Sequence, residues 1–277
     1  MEPTAATPET RPWVIGFAEG TAAMRALLGN KGANLAEMPQ VLGPDRGPGG
    51  FTITTAACVK YREQGGEMPD DLDSQIREAL GELEREAGKV LGDPDDPLLV
   101  SVRSGAPVSM PGMLDTVLNL GLNERSVEGL ARQTGDAHLA WDSYRRLIQM
   151  FAEVVRGVAA MSFEDALVAA RHRSGVEIDS ELDEDALREL VSRYLEIFEL
   201  HTGEPFPEDP HAQLIQAVRA VFDSWDNDRA VTYRRLNGIP DTLGTAVTVQ
   251  RMVFGNMGNQ SGSGVAFTRD PTTAEPE

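Results

Sequence analysis

Apolar residues recur at helical spacing in three long stretches of the chain. Spacings of three and four residues place each set on one face of a helix. The first set begins after Pro69 and Asp70, and the third follows Asp209 and Pro210, a pair typical of a helix start. The sets are Leu72, Ile76, Leu80, Leu83 and Ala87; Trp141, Tyr144, Leu147, Ile148, Phe151, Val154, Val155 and Val158; and Leu214, Ile215, Val218, Val221 and Phe222. The pattern predicts three amphipathic helices.

Short β-prone runs lie on both sides of a mostly helical middle. Before it they cover residues 51–53, 98–102 and 116–120, and after it apolar residues alternate with period two along residues 247–253. A glycine-rich turn then leads to a last run, residues 265–268. These two final runs are predicted to pair as an antiparallel hairpin. Helices and strands together predict an α+β fold.

Composition removes several classes of function. The chain has 277 residues, 44 acidic against 25 basic side chains and a formal net charge of −19, which argues against binding nucleic acid or an anionic membrane. A single Cys58 excludes a disulfide framework and a cysteine zinc site, and indicates a reducing compartment. Neither a signal peptide nor an apolar run of about 18 residues is visible, so we expect a cytoplasmic protein without a membrane segment.

The negative charge is concentrated in one part of the chain. Residues 177–209 hold twelve acidic and two basic side chains, about half of the net charge. Such a run is typical of a solvated helical face.

Lys31 is the first candidate for binding a phosphate. It stands in the turn GNKG, residues 29–32, before a short helix predicted over residues 32–38 and ended by Pro39. Flanking glycines allow close backbone approach, and the first-turn amides of a helix favour an anion. The alternative is an exposed lysine in a structural glycine turn.

Arg103 and the loop after it are the stronger candidate. Arg103 ends an apolar strand and opens into SGAPVSMPGMLDT, residues 104–116. Its guanidinium, backbone N–H groups and the hydroxyls of Ser104, Ser109 and Thr116 could form a phosphate cradle, or the loop could be purely structural. Asp115 could orient a metal ion or cap a turn. The sequence has neither G-x-x-x-x-G-K-[ST] nor a G-x-G-x-x-G after a strand, and its four histidines lack metal-site spacing.

Five segments together resemble the pyruvate, phosphate dikinase family. They are GNKGANLAEM (29–38), GFTITTAAC (50–58), SVRSGAPVSMPGMLDTVLNLGL (101–122), WDSYRRLIQMF (141–151) and QRMVFGNMGNQSGSGVAFTRDPTT (250–273). The resemblance covers nearly the whole chain in order. SMPGMLDT together with NMG and SGVAFTRDPTT separates it from phosphoenolpyruvate synthase and rifampicin phosphotransferase, which remain the alternative enzymes.

The resemblance implies an ATP-grasp nucleotide-binding domain with a helical insertion and a truncated second lobe. The implied divisions are a disordered lead, a first α/β lobe, the insertion, helices that return to the first lobe, and the start of a second lobe built on the β-hairpin. Their bounds are 1–12, 13–122, 123–208, 209–244 and 245–277.

The resemblance also implies roles for individual residues. Lys31 and Arg103 would be catalytic, binding the triphosphate and stabilising its developing charge. The loop would cover the phosphates, residues 250–253 would line the adenine pocket, and Ser263 would stand where the family commonly has Thr. The implied ATP-binding residues are Ser104, Gly105, Ala106, Ser109, Gly112, Met113, Asp115, Thr116, Gln250, Met252, Val253 and Ser263.

The implied chemistry belongs to a larger enzyme. Such an enzyme converts ATP, phosphate and pyruvate to AMP, pyrophosphate and phosphoenolpyruvate through a phosphohistidine on a separate domain. We expect Mg²⁺ as cofactor with ligands beyond residue 277, and as partners ATP, phosphate, the phosphohistidine and pyruvate-binding domains, and a second copy in a homodimer. Alone, the chain is expected to be incomplete for turnover. The alternative from another class is a non-catalytic remnant that uses its acidic helical surface for interaction.

Overall fold

Nine α-helices and two β-sheets are formed by the residues that a computed structural model describes, namely 12–43, 46–267, 269–270, 272–273 and 275. The strands are β1 Val14–Gly16, β2 Gly50–Ile53, β3 Val90–Leu91, β4 Pro97–Leu98, β5 Val100–Gly105, β6 Thr116–Leu120 and β7 Ala246–Arg251. The helices are α1 Arg25–Leu42, α2 Thr55–Glu63, α3 Leu72–Ala87, α4 Ser126–Thr134, α5 Ala137–Arg156, α6 Met161–Ser174, α7 Glu184–Thr202, α8 Pro210–Asp223 and α9 Asp228–Asn237.

The larger sheet brings distant parts of the chain side by side. Its order is β1-β2-β7-β5-β6 and every pairing in it is antiparallel, while β3 and β4 form a separate parallel pair. The last strand in sequence, β7, therefore lies in the centre, between β2 and β5.

The two faces of the larger sheet differ in chemistry. Successive side chains of a strand point to opposite faces. On one face the apolar residues Phe51, Val102 and Val249 belong to the main hydrophobic core. On the other face, N-terminal residues of α1 pack over β2, β7 and β5, and Leu28, Ala33 and Ala36 form a smaller cluster with Ile15. The sheet is thus covered by helices on both faces.

The three predicted amphipathic helices are confirmed as α3, α5 and α8. In α3, Leu72, Ile76, Leu80 and Leu83 are buried, and the stripe of α5 is buried from Leu139 to Ala152. Side-chain caps fix the starts of two of them. Asp136 accepts a hydrogen bond from the Leu139 amide at 2.9 Å at the start of α5, and Asp209 caps α8, which has Pro210 in its first turn.

The helices beyond β6 share one core with the sheet. The main hydrophobic cluster runs from Phe51 and Val249 through Tyr144 and Phe151 on α5 to Phe198 on α7. Aromatic contacts reinforce it, with the rings of Phe151 and Phe206 5.3 Å apart. The burial of both sheet and helices in a continuous core ties the predicted insertion to the first lobe.

The predicted C-terminal hairpin is wrong. Strand β7 pairs with β2 and β5 instead, and residues 252–267, all of them described, contain no strand. Period-two alternation correctly marked a strand but carried no information about its partner. Thr268, the end of the predicted second strand, lies outside the described residues, as does the predicted lead except residue 12.

Two further boundaries need correction. Pro39 does not end the helix that begins after the glycine turn: α1 continues to Leu42, with a non-helical break at Gly29 instead. The loop predicted to begin at Ser104 begins later, because β5 extends through Gly105. Ser104 and Gly105 are consequently strand residues held in the sheet.

Candidate anion-binding site

A row of polar side chains crosses the face of the sheet beneath α1. The register pairs Thr52 with Thr248, Thr248 with Arg103, and Arg103 with Thr116, so four adjacent strands each contribute one residue. The hydroxyls of Thr52 and Thr248 and the Nε of Arg103 are buried without a hydrogen-bond partner among the described residues. Buried polar atoms without partners are rare in folded proteins. The row therefore marks a polar site rather than part of the apolar core.

Arg103 is held in this row by a side-chain contact with the next strand. Its Nη2 donates a hydrogen bond to Oε1 of Gln250. Burial lowers the pKa of Arg103 from its ordinary value, although a guanidinium stays charged in proteins. Within the described residues no carboxylate lies at ion-pair distance from it. The guanidinium of Arg103 is therefore a cation with N–H groups, including Nε, that have no acceptor among the described residues.

Lys31 approaches the same end of β5 from α1. Its Nζ donates to the carbonyl of Ser104 at 2.9 Å, and the Asn30 amide donates to the carbonyl of Ala106 at 2.9 Å. Desolvation and the nearby charge of Arg103 lower the pKa of Lys31, although the residue as a whole is exposed. Two cations are thus close enough to repel each other.

Glycine makes this close approach possible. Gly29 has φ of 69°, and a Cβ there would lie 1.6 Å from the carbonyl oxygen of Gly105. Any side chain would therefore push α1 away from β5. The close packing of α1 on β5 therefore requires a glycine at position 29. The sequence indicated a glycine turn but did not show that the turn contacts β5.

The loop between β5 and β6 is anchored at its ends and exposed at its tip. Arg25 Nε donates to the carbonyl of Pro107 at 2.9 Å, and Arg229 donates to the carbonyl of Met113 at 3.1 Å. At the tip, Ser109 and Gly112 are exposed. The loop is therefore held at both ends by arginine side chains.

Asp115 is occupied by neighbours on the protein. Its carboxylate accepts from Arg229 and, at 3.2 Å, from Nδ2 of Asn227. These contacts anchor the loop to the residues at the start of α9. No group of three or more His, Cys, Asp and Glu suited to a metal ion occurs in the part of the chain that the structure describes.

The residues predicted to line an adenine pocket are not brought together. Gln250 borders a cavity of about 310 Å³ whose lining includes Phe17, Leu35, Phe51 and Leu83. Met252 and Val253 border a different cavity of about 380 Å³. Their separation follows from the direction of the Gln250 side chain, which lies with Arg103 on the polar face.

The remaining predicted residues fall into two groups. Ser104 and Ala106 are buried at the end of β5, where Gly105 donates to Oγ1 of Thr245 at 3.2 Å. Ser263 is exposed, and a Cβ on Gly255 would lie 2.0 Å from its hydroxyl oxygen. Lys31, Arg103 and residues 104–106 therefore form one site, to which the structure does not join Ser263.

Sequence reasoning missed Thr52 and Thr248. Both lie in β-prone runs, where threonine is a common strand residue and gives no signal. Only the register of β2, β7 and β5 places them beside Arg103.

Lys31, in its glycine turn, and Arg103 are neighbouring cations that the described residues leave without a carboxylate, an arrangement whose charge is suited to an anionic ligand. A family model described as "Pyruvate phosphate dikinase, AMP/ATP-binding domain" matches residues 64–277. The chain belongs to this family.

Curated relatives carry the same family name over a greater length. Pyruvate, phosphate dikinase of Clostridium symbiosum is 53% identical over 264 residues, which cover 95% of this chain and 30% of the relative. That of Rhizobium meliloti (strain 1021) is 54% identical over 269 residues, 96% of this chain and 30% of the relative. The chloroplastic pyruvate, phosphate dikinase 1 of Arabidopsis thaliana is 48% identical over 276 residues, 99% and 28% respectively. The chain spans about 30% of the length of the relatives it matches.

Among the described residues, the structure has no helix with the length and apolar character needed to cross a membrane.

Proposed function

We propose that this chain binds the phosphates of ATP at Lys31 and Arg103, as the ATP-binding part of a pyruvate, phosphate dikinase-like phosphotransferase. The observation that carries the proposal is the pair of neighbouring cations, which the described residues leave without a carboxylate in a protein of net charge −19. Membership of a family described as AMP/ATP-binding supports the nucleotide as ligand.

The electrostatics of the pair favour a polyphosphate. Each cation lies partly out of water and raises the other's energy, which is why the pKa of Lys31 is lowered. An anion between them would remove this repulsion and gain charge-assisted hydrogen bonds from the guanidinium. Fixed cations of this kind can also stabilise charge that develops on a transferring phosphoryl group.

The loop over residues 106–115 is the second part of the proposed site. Its ends are fixed by Arg25 and Arg229, and its exposed tip carries Ser109 and backbone N–H groups. We assign the tip to covering the phosphates. Met252 and Val253 border a cavity, and we propose that they contact the adenine base there.

Mg²⁺, further domains and location also belong to the proposal. Mg²⁺ would enter bound to the ATP phosphates, because the described residues contain no group of three or more metal ligands and Asp115 is held by Arg229. The greater length of the relatives supports further domains in the whole protein. That these domains carry the phosphohistidine and bind pyruvate, and that the enzyme is a cytoplasmic homodimer, is part of the same proposal.

Thermal unfolding with and without Mg·ATP tests the proposal. At a ligand concentration of 100 times Kd, binding to the folded state adds about 2.7 kcal/mol, which raises Tm by several degrees. Arg103→Ala should abolish the rise. Arg188→Ala, which removes an arginine from α7, is the matched control and should retain it. An unchanged Tm of the wild-type chain at millimolar Mg·ATP would reject ATP binding by this chain.

The acidic helical surface carries less support as an interaction module. Arg188 pairs with Glu128 at 2.6 Å and Glu184 at 2.7 Å, and Arg171 lies 3.4 Å from Asp179. Part of the negative charge counted in the sequence is thus neutralised within the fold.

A further inference from the structure

Gln250 is placed to act on Arg103. The register sets Gln250 opposite Ser101 and Thr248 opposite Arg103, so Gln250 and Arg103 are diagonal neighbours on one face of β7 and β5. Diagonal positions lie about 7–8 Å apart, within reach of two long side chains. Gln250 is 7% exposed, so its amide has little access to water.

Both ends of the Gln250 amide are used by the protein. Oε1 accepts from Nη2 of Arg103, and Nε2 donates to the carbonyl of Pro48 at 3.2 Å. Arginine can only donate and a carbonyl can only accept, so one orientation of the amide satisfies both neighbours. The amide therefore joins the guanidinium to the backbone of residues 48–50.

The strand position across from Gln250 is a glycine held by close neighbours. Gly50 lies directly across from Gln250 on β2. A Cβ on Gly50 would approach the Val249 carbonyl oxygen to 2.4 Å and the Phe17 ring to 2.7 Å. Glycine at position 50 therefore keeps β2 close to β7, and Pro48, the acceptor of the Gln250 amide, lies two residues before the start of β2.

We propose that Gln250 is a positioning residue for Arg103: it holds the guanidinium in the orientation that receives the phosphates. This inference rests on the proposed function. It differs from the predicted contact of Gln250 with adenine, because the structure commits both ends of its amide to the protein.

Holding Arg103 has a physical benefit for binding. A free arginine side chain occupies many rotamers, and fixing it on ligand binding costs conformational entropy. A neutral acceptor such as the Gln250 amide fixes the guanidinium and leaves its charge in place. A carboxylate would fix the guanidinium but neutralise its charge. Gln250 thus keeps Arg103 both ordered and available to an anion.

Two readouts on the whole chain test the proposal. Gln250→Met keeps the length of the side chain and removes both hydrogen bonds. By ¹⁵N NMR of the arginine side chains, rotation of the Arg103 guanidinium should become faster, with its signal assigned by its loss in Arg103→Met. The affinity for Mg·ATP, measured by calorimetry, should fall about tenfold. Gln149→Met is the control, because Gln149 is a half-buried glutamine on α5, and it should change neither readout.

Gln250→Glu separates positioning from packing. The carboxylate can still accept from Arg103, so the slow guanidinium rotation should remain, while the neutralised charge should weaken ATP binding. In Gln250→Glu, slow rotation of the Arg103 guanidinium would thus be kept while the affinity for Mg·ATP falls. If Gln250 were only structural, the two readouts would change together.

The outcomes are distinct from those for the proposed function. A wild-type chain that fails to bind ATP rejects the proposed function, whereas the NMR readout still decides whether Gln250 orders Arg103. A chain that binds ATP equally well with Gln250 and Met at this position overturns the inference, as does unchanged guanidinium rotation in Gln250→Met.

Discussion

Arg103 on the sheet and Arg188 on α7 show two opposite environments of the same side chain. Arg188 pairs with Glu128 and Glu184 and stacks on Trp141, with its guanidinium carbon 4.3 Å from the ring centroid. The hydrogen bonds to Glu128 and Glu184 raise the pKa of Arg188, whereas burial lowers the pKa of Arg103. One arginine is neutralised by its surroundings and the other is left beside a second cation.

A paired charge and an unpaired charge differ in what they offer to a ligand. The ion pairs around Arg188 on α7 add to stability and leave no charge for a ligand to neutralise. At the end of β5, two neighbouring cations reduce stability, and such a cost persists at sites where it serves binding or catalysis. Changes of the backbone, of the charges or of the pH should therefore affect the two regions differently.

The largest expected effect comes from Gly29→Ala. The new Cβ would lie 1.6 Å from the Gly105 carbonyl oxygen at a φ of 69°, so α1 must separate from β5. We expect a loss of at least about 3 kcal/mol in the free energy of unfolding, measured by urea denaturation.

Gly112→Ala is the matched control for this change. Gly112 has φ of 71°, but a Cβ there would meet no atom within 4 Å. Only the backbone preference is lost, at about 1 kcal/mol. Equal losses in the two variants would contradict the close packing of α1 on β5.

The two arginines should differ in what their replacement by methionine does to stability. Arg188→Met leaves Glu128 and Glu184 unpaired and should lower the free energy of unfolding by about 1 kcal/mol. Arg103→Met leaves Oε1 of Gln250 unpaired but also removes a cation that repels Lys31, so the two effects should offset and change the free energy of unfolding by less than about 0.5 kcal/mol. Denaturation in the absence of nucleotide checks both. If Arg103→Met were the more destabilising change, the site would be structural.

Local elements of this fold are predictable from sequence, and its pairings are not. The stripes of α3, α5 and α8 depend on residues three and four apart, and caps such as Asp136 lie next to the helices they start. The position of β7 depends on contacts with β2 and β5, far away in sequence. Periodicity therefore gave β7 as a strand but assigned it to a hairpin that the structure does not form.

The candidate site divides in the same way. Glycines around Lys31 and the unusual loop after Arg103 are local signals, and the structure brings these residues together. The unpaired hydroxyls of Thr52 and Thr248 follow from lateral register alone. The partner of Gln250 likewise depends on which strand lies beside β7.

The two regions should also differ in their response to pH. The pKa of Glu128 is lowered, chiefly by its hydrogen bond from Arg188, so its contribution is present above the ordinary value of 4.5 and is lost as pH falls through the lowered value. Comparing wild type with Glu128→Gln from pH 6 to pH 3 should show a difference of about 0.5 kcal/mol that disappears in acid.

Lys31 should show the opposite sign in alkali. Because its folded pKa is lowered from 10.5, the unfolded chain binds more protons between the two values, and stability rises with pH in that window. Relative to Lys31→Met, the wild type should gain stability as pH rises toward 10.5. A constant difference would show that Lys31 feels no repulsion from Arg103.

The smallest effect on stability is expected for Ser109→Ala at the tip of the loop. Ser109 is exposed, and the described residues provide no hydrogen bond to its side chain, so the free energy of unfolding should change by less than about 0.5 kcal/mol. If the tip covers the phosphates, the lost hydroxyl should still weaken Mg·ATP binding by about tenfold, since a hydrogen bond to a charged group contributes about 1.5 kcal/mol or more. Calorimetry beside urea denaturation measures both quantities. Ser192→Ala, an exposed serine on α7, should alter neither, and an ATP affinity unchanged in Ser109→Ala would confine the site to Lys31, Arg103 and the end of β5.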